Sequence, residues 1–225
     1  MRARWVKEEE GWHRLPPRAW PEVRPKADEI PGIREQIELQ RCPSPGSARL
    51  SPTCAKLTFD LASALVFAGV DPPAGVALYR GLASVRDLDG MVAAAVVLLE
   101  GLGVERDEEE GVRLLRDASH RGSAQGLYEL GTLLYVGGGG LEEDEAAAFA
   151  LFQQAASQQH TSGMFMVADC LLEGTGCEQD LASAVPLLHA SAVNGHRGAR
   201  QHLRQLLDGQ WMGFGGANGP ARIAV

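Results

Sequence analysis

Four aspartates, Asp71, Asp107, Asp144 and Asp180, stand 36, 37 and 36 residues apart. The last three close nearly the same phrase: LLEGLGVERD, LLYVGGGGLEED and LLEGTGCEQD. Other landmarks keep that register. Downstream of each aspartate comes an apolar pair, Leu78/Tyr79, Leu114/Leu115, Leu151/Phe152 and Leu187/Leu188. A second pair follows, mostly small: Leu82/Ala83, Ala118/Ser119, Ala155/Ala156 and Ser191/Ala192. A chain repeating itself every 36 residues or so folds as a tandem array, because one such unit cannot bury its apolar face alone.

Each unit reads as two helices. The first helix of the third unit runs from about Ala124 to Val136, with Leu127, Leu130 and Leu134 at the i, i+3, i+7 spacing of a buried stripe. Met91, Ala94 and Leu98 precede them in the same register, and Met164, Val167 and Leu171 follow. A small residue lies beside each central position (Ala95, Gly131, Ala168), so a neighbouring helix can approach closely. Gly101, Gly137 and Gly174 supply the left-handed residue that ends a helix. The aspartate then caps the second helix, and Glu108, Glu109 and Glu110 meet the positive end of its dipole. That acidic run is a helix start rather than a metal site. The first unit departs from the pattern: its turn shortens to AGVDPP, and Arg86 stands where a terminal glycine is expected. This suits a unit that caps the array. Pro186, inside a second helix, is expected to cost about 3 kcal/mol or kink it.

The spacing divides the chain into three parts. Residues 51–208 form an all-α helical-hairpin solenoid of about four repeats, at 51–86, 87–122, 123–159 and 160–195, closed by a helix over 197–208. Ser51-Pro52 is its opening cap and first helical residue. Residues 1–50 read as an extended arm with seven prolines and three tryptophans, carrying one short helix from Ile33 to Gln40. Residues 209–225 are a glycine-rich tail.

Charge and composition narrow the function. Of the formal net charge of −8, residues 1–50 carry +2 and the remainder −10. An acidic repeat body lacks the basic footprint that nucleic-acid phosphates require, so no direct nucleic-acid partner is expected. No run of 18 apolar residues is present to span a membrane. The N-terminus is too acidic for a transit peptide and lacks a signal peptide's apolar run. Cys42 with Cys54, and Cys170 with Cys177, are close enough in sequence to pair, but free thiols in a reducing compartment are the favoured reading of both. An intracellular location follows, cytoplasmic or organellar.

Catalytic signatures are hard to find. Cys170, Cys177 and a histidine match no zinc spacing, so no metal site is expected. Gly137 to Gly140 lack the Lys-Ser/Thr of a phosphate loop. No Gly-x-Ser-x-Gly or His-Glu-x-x-His occurs. His160 and His196 take equivalent places just past a helix end, where polar loop residues are ordinary. Neither catalytic residues nor a cofactor are expected, and an enzyme or metal protein is the least favoured reading.

The segment AAAVVLLEGLGVERDEEEGVRLLRDASHRG, Ala93 to Gly122, resembles the SEL-one-like repeat. The likeness rests on the turn Gly101, Gly103, Val104, Asp107 and its counterpart Gly174, Gly176, Cys177, Asp180. The helix ends Ala118, Ser119, Gly122 and Ser191, Ala192, Gly195 match as well. It covers about residues 55–208 and is weakest in the first unit. It implies a right-handed α-solenoid related to tetratricopeptide repeats, with adaptor or scaffold work and no catalytic residues. In such a solenoid the first helices line the concave side. Their second face would then present Val92, Val96 and Leu99, then Tyr128, Thr132 and Tyr135, then Phe165, Asp169 and Leu172. Two readings stay open for this face: a partner-binding groove, or a second buried face within a tightly curved array. Trp5, Trp12 and Trp20 in the arm, with Trp211 and Phe214 in the tail, are further candidate partner contacts. The expected function is a non-catalytic scaffold, an accessory subunit of a large complex, with an organelle as one of the two compartments left open. The alternative is a soluble adaptor that binds transiently through the groove.

Overall fold

The computed structural model describes residues 7–8, 11–12, 26–40, 42–44 and 50–207. Lys7–Glu8 (β1) and Gly11–Trp12 (β2) pair antiparallel. A 3-10 turn at Ala27–Glu29 leads into α1, Ile30–Leu39. Nine further helices follow: α2 Pro52–Phe67, α3 Pro72–Ser84, α4 Leu88–Glu100, α5 Glu108–His120, α6 Ala124–Val136, α7 Glu145–Ser157, α8 Thr161–Glu173, α9 Leu181–Val193 and α10 Arg197–Leu207. Each helix packs mainly on the one before and the one after it. That is the contact pattern of a solenoid.

The turn phrase works as its residues dictate. Gly101, Gly137 and Gly174 end α4, α6 and α8 with φ of 65°, 67° and 72°. Asp71, Asp107, Asp144 and Asp180 then cap the second helices, each accepting the backbone N–H three residues on at 2.9–3.1 Å. The same aspartates also bond backwards. The N–H of Asp107 donates to the carbonyl of Leu98, that of Asp144 to Leu134 and that of Asp180 to Leu171. A matching bond closes the other turn. The caps of α4, α6, α8 and α10, namely Asp87, Ser123, His160 and His196, donate their N–H groups to Leu82, Ala118, Ala155 and Ser191.

Burial follows the repeat register. The second member of each apolar pair, Tyr79, Leu115, Phe152 and Leu188, has 0% exposure. Phe152 lies where a Cβ on Gly131 would meet its Cε1 at 2.7 Å, so the small residue in mid-helix is what admits the ring. Tyr79 shares a buried 2.7 Å hydrogen bond with Ser63. Burial pushes the phenol's pKa well up.

Several expectations need correction. The arm helix begins at Ile30, three residues earlier than the spacing predicts, because Pro31 sits in its first turn rather than before it. α9 continues on both sides of Pro186, which agrees with a proline that costs stability or bends the helix without ending it. The ring faces solvent, and the carbonyl left without its helical partner belongs to exposed Ala182. Cys42 and Cys54 form a disulfide with Cα atoms 5.5 Å apart, inside the range that a bridge spans. The favoured free-thiol reading therefore fails for this pair, while Cys170 and Cys177 are thiols. Asp208 lies outside the described residues.

Two positions test the turn geometry. Gly176 has φ +67°, and a Cβ there would collide with the carbonyl of Glu145, at the start of the preceding repeat's second helix. Gly195 has φ +92° with nothing within 4 Å of its would-be Cβ. In urea unfolding, Gly176→Ala should cost about 3 kcal/mol, adding overpacking to backbone strain, and Gly195→Ala only about 1 kcal/mol. Gln159 and Arg86 hold φ of 61° and 66° without being glycine. Gln159→Gly should therefore stabilise the chain by about 0.5–1 kcal/mol, read as a higher urea midpoint with an unchanged slope.

Candidate functional site

The side-by-side first helices α4, α6 and α8 leave an open cleft of about 460 Å³ across their N-terminal ends. Its walls are the first two residues of each helix, Leu88/Asp89, Ala124/Gln125 and Thr161/Ser162, with Gly122, Ser123 and His160 between them. In each helix the third N–H is taken by the cap: Gly90 by Asp87 at 2.8 Å, Gly126 by Ser123 at 3.1 Å, Gly163 by His160 Nδ1 at 3.0 Å. The N–H groups one and two residues into a helix have no acceptor in the helix itself. Three such ends meet at one cleft. They suit the carbonyl oxygens of a passing backbone.

His160 organises the cleft. Its Nδ1 accepts the cap bond, which leaves Nε2 to carry the proton and donate to Gln125 Oε1 at 2.7 Å. Gln125 Nε2 in turn donates to Glu129 Oε1 at 2.6 Å. Gln125 and Glu129 are 6% and 3% exposed and His160 is half-buried, and this polar chain ties α8 to α6. Tyr128 lies against the His160 ring at 5.3 Å. Burial lowers the imidazole's pKa to about 4. With both nitrogens in structural bonds, the ring is a strut rather than a general base. At the rim, partial desolvation against the helix ends and then the charge of Asp87 push the Asp89 carboxyl above its ordinary range.

The groove expected on this face is largely filled. Val92, Val96, Leu99, Tyr135 and Leu172 are buried, none above 8% exposure. They join the core because the second helices stand over them. Leu99 fills the space a side chain on Gly111 of α5 would need, and Tyr135 lies 6.2 Å from Phe152 of α7. Tyr128, Thr132, Phe165 and Asp169 stay half-buried. Phe165 stacks on His196 at 4.2 Å and meets His202 of α10 at 5.2 Å, so the closing helix takes its side of the face. Asp169 stands 3.7 Å from His202 Nδ1. Trp5, Trp20, Trp211 and Phe214 lie outside the described residues, and of Trp12 only the backbone is described. Among the described residues no cluster of three His, Cys, Asp or Glu side chains is placed to hold a metal ion. No described helix is long and apolar enough to cross a membrane.

Sequence reasoning missed the cleft and the strut. The one signal was positional: His160 occupies the cap register of Asp87 and Ser123, but a histidine is a rare cap, and its second nitrogen has a use only once α6 is beside it.

The Sel1 repeat family model matches residues 88–123, 124–160 and 161–196. The α2–α3 pair lies outside that match. Among curated proteins none matches in sequence. A Sel1 repeat protein from Oxalobacter formigenes superposes with a TM-score of 0.65 at 19% identity, covering 83% of this chain and 70% of that one. The c5321 protein, a protective antigen present in uropathogenic Escherichia coli strains and displaying an SLR fold, gives 0.63 at 22% identity; the match covers 80% of this chain and 36% of that one. Cysteine rich protein B of Helicobacter pylori gives 0.48 at 15% identity, over 58% of this chain and 92% of that one. At these identities the likeness to the first two is one of fold.

The pH dependence of stability follows from His160. Unfolded, the ring titrates near 6.5; folded, near 4. The unfolded chain binds the proton more tightly, so the ring's contribution is whole above pH 6.5 and is lost as pH falls through about 4. His160→Ser keeps a cap like that of Ser123 and removes the titration. Between pH 7 and 4.5 the parent should lose roughly 2 kcal/mol more unfolding free energy than the variant, measured by urea melts at both pH values.

Proposed function

We propose that this chain, which carries three Sel1 repeats over residues 88–196, is a non-catalytic protein–protein interaction scaffold, working as an accessory subunit of a larger assembly. Sel1 repeats generally mediate contacts between proteins. The observation that carries the reading is the cleft over α4, α6 and α8. It is open, lined by the first residues of three helices, and tied together across α6 and α8 by the His160–Gln125–Glu129 chain. A rigid edge of this kind suits an extended partner segment, whose carbonyls accept from the helix ends without deforming the array. The half-buried Tyr128 and Thr132 extend the same face. The Cys42–Cys54 bridge favours a compartment where disulfides persist, which weighs against a reducing cytoplasm.

The test is gentle capture of the tagged chain from its native source, followed by native mass spectrometry. A complex of fixed stoichiometry, well above the 24.0 kDa of the chain, is the expected result. Ala124→Arg and Thr161→Arg, which crowd the cleft, should weaken that complex at least about tenfold, the scale of one lost interface hot spot. Gln153→Arg, on the exposed face of α7, should leave it intact. A lone 24.0 kDa chain overturns the subunit reading and favours the transient adaptor. A complex indifferent to the cleft substitutions overturns the site.

A further inference from the structure

The N-terminal end of the array is closed by α1, which is not part of any repeat. It lays a single stripe, Ile30, Ile33 and Ile37, over Leu61, Ala64 and Leu65 of α2. Its other residues are exposed. Ten residues make too short a helix to be stable alone in water, and three isoleucines are a small footprint. The chain leaves α1 through a wrapped end, with Cys42 N–H donating to the Ile37 carbonyl at 3.1 Å. Cys42 then bonds to Cys54 in the first turn of α2. Ser51 caps that turn, accepting the Cys54 N–H at 3.2 Å, so the cysteine is held on a rigid helix start. The bridge thus joins a weakly docked helix to the first helix of the array.

We propose that the Cys42–Cys54 disulfide is a redox latch that keeps α1 seated as the end cap and lets it leave when reduced. Cys54 is 4% exposed while Cys42 is half-buried, so an incoming thiolate reaches the sulfur of Cys42. A dithiol reductant attacks there, forms a mixed disulfide and expels Cys54 as a thiolate, which takes up a proton. The second thiol of the reductant then attacks its own sulfur in the mixed disulfide, closing its ring and releasing Cys42 as a thiol. The protein gains two electrons and two protons, and the dithiol loses them. Closing a loop of 12 residues biases the docked state by roughly a hundredfold, and that bias goes with the bond. Release uncovers Leu61 and Leu65 at the end of the array. The repeats beyond are untouched, because their contacts run from neighbour to neighbour.

Amide hydrogen exchange on the full chain, read by mass spectrometry, tests the latch. Peptides from residues 30–39 are followed with and without dithiothreitol, and peptides from α4 to α8 serve as the internal reference. Reduction should speed exchange in α1 by about a hundredfold and leave α4 to α8 unchanged. Cys42→Ser should show the fast α1 without reductant and ignore its addition, and reoxidation of the parent should restore slow exchange. Unchanged α1 protection after reduction would overturn the latch. So would faster exchange throughout the array, which would make the bridge a staple for the whole fold. Absence of a Cys42–Cys54 peptide in the non-reduced digest would overturn it as well.

Discussion

Each turn aspartate binds in two directions, and the array is built on that double bond. The carboxylate of Asp107 holds the first turn of α5, while its N–H holds the end of α4. Asp144 and Asp180 do the same one and two repeats later. One residue therefore fixes the exit of one helix and the entry of the next. The hairpin angle repeats because the bond repeats. Helix ends leave backbone groups that must find partners; here a single side chain and its own amide serve both sides of the turn.

From this constraint the packing follows. Regular hairpins bring Tyr79, Leu115, Phe152 and Leu188 to the same depth, and Gly131 admits the Phe152 ring. The other face of the first helices pays for that regularity: hairpins this tight bury Val92, Val96 and Leu99 as well. What stays open is the edge where the first helices begin. There the caps differ from repeat to repeat, as aspartate, serine and histidine, although the hydrogen bond they make is the same. A conserved backbone geometry with varied side chains lets a repeat array keep one fold and alter what it presents.

The division between what the sequence reveals and what it hides is physical. Turn glycines, aspartate caps and the buried stripe are legible because each depends on residues within one turn of helix. Arg86 is legible as an exception, and it does carry the strained φ that the register requires, as Gln159 does at the matching place in the third repeat. Leu99, Tyr135 and Leu172 stay ambiguous in the sequence because helical spacing assigns them to a face without saying what stands over that face; α5 and α7 are nonlocal. The disulfide is hidden for the same reason. A separation of 12 in sequence permits a bridge or none, and only the docking of α1 on α2 decides. His160 looks like a loop histidine until Gln125, 35 residues away, supplies the acceptor for its second nitrogen.

The central claim is that partners dock on the edge formed by the starts of α4, α6 and α8. Site-specific photo-crosslinking in the native source addresses it directly, with a photoreactive residue at Ala124 or Thr161 in the cleft and, for comparison, at Gln153 on α7. The account requires one discrete crosslinked partner from both cleft positions and none from α7. Crosslinks from α7 alone would contradict it, and would place the working surface on the second helices.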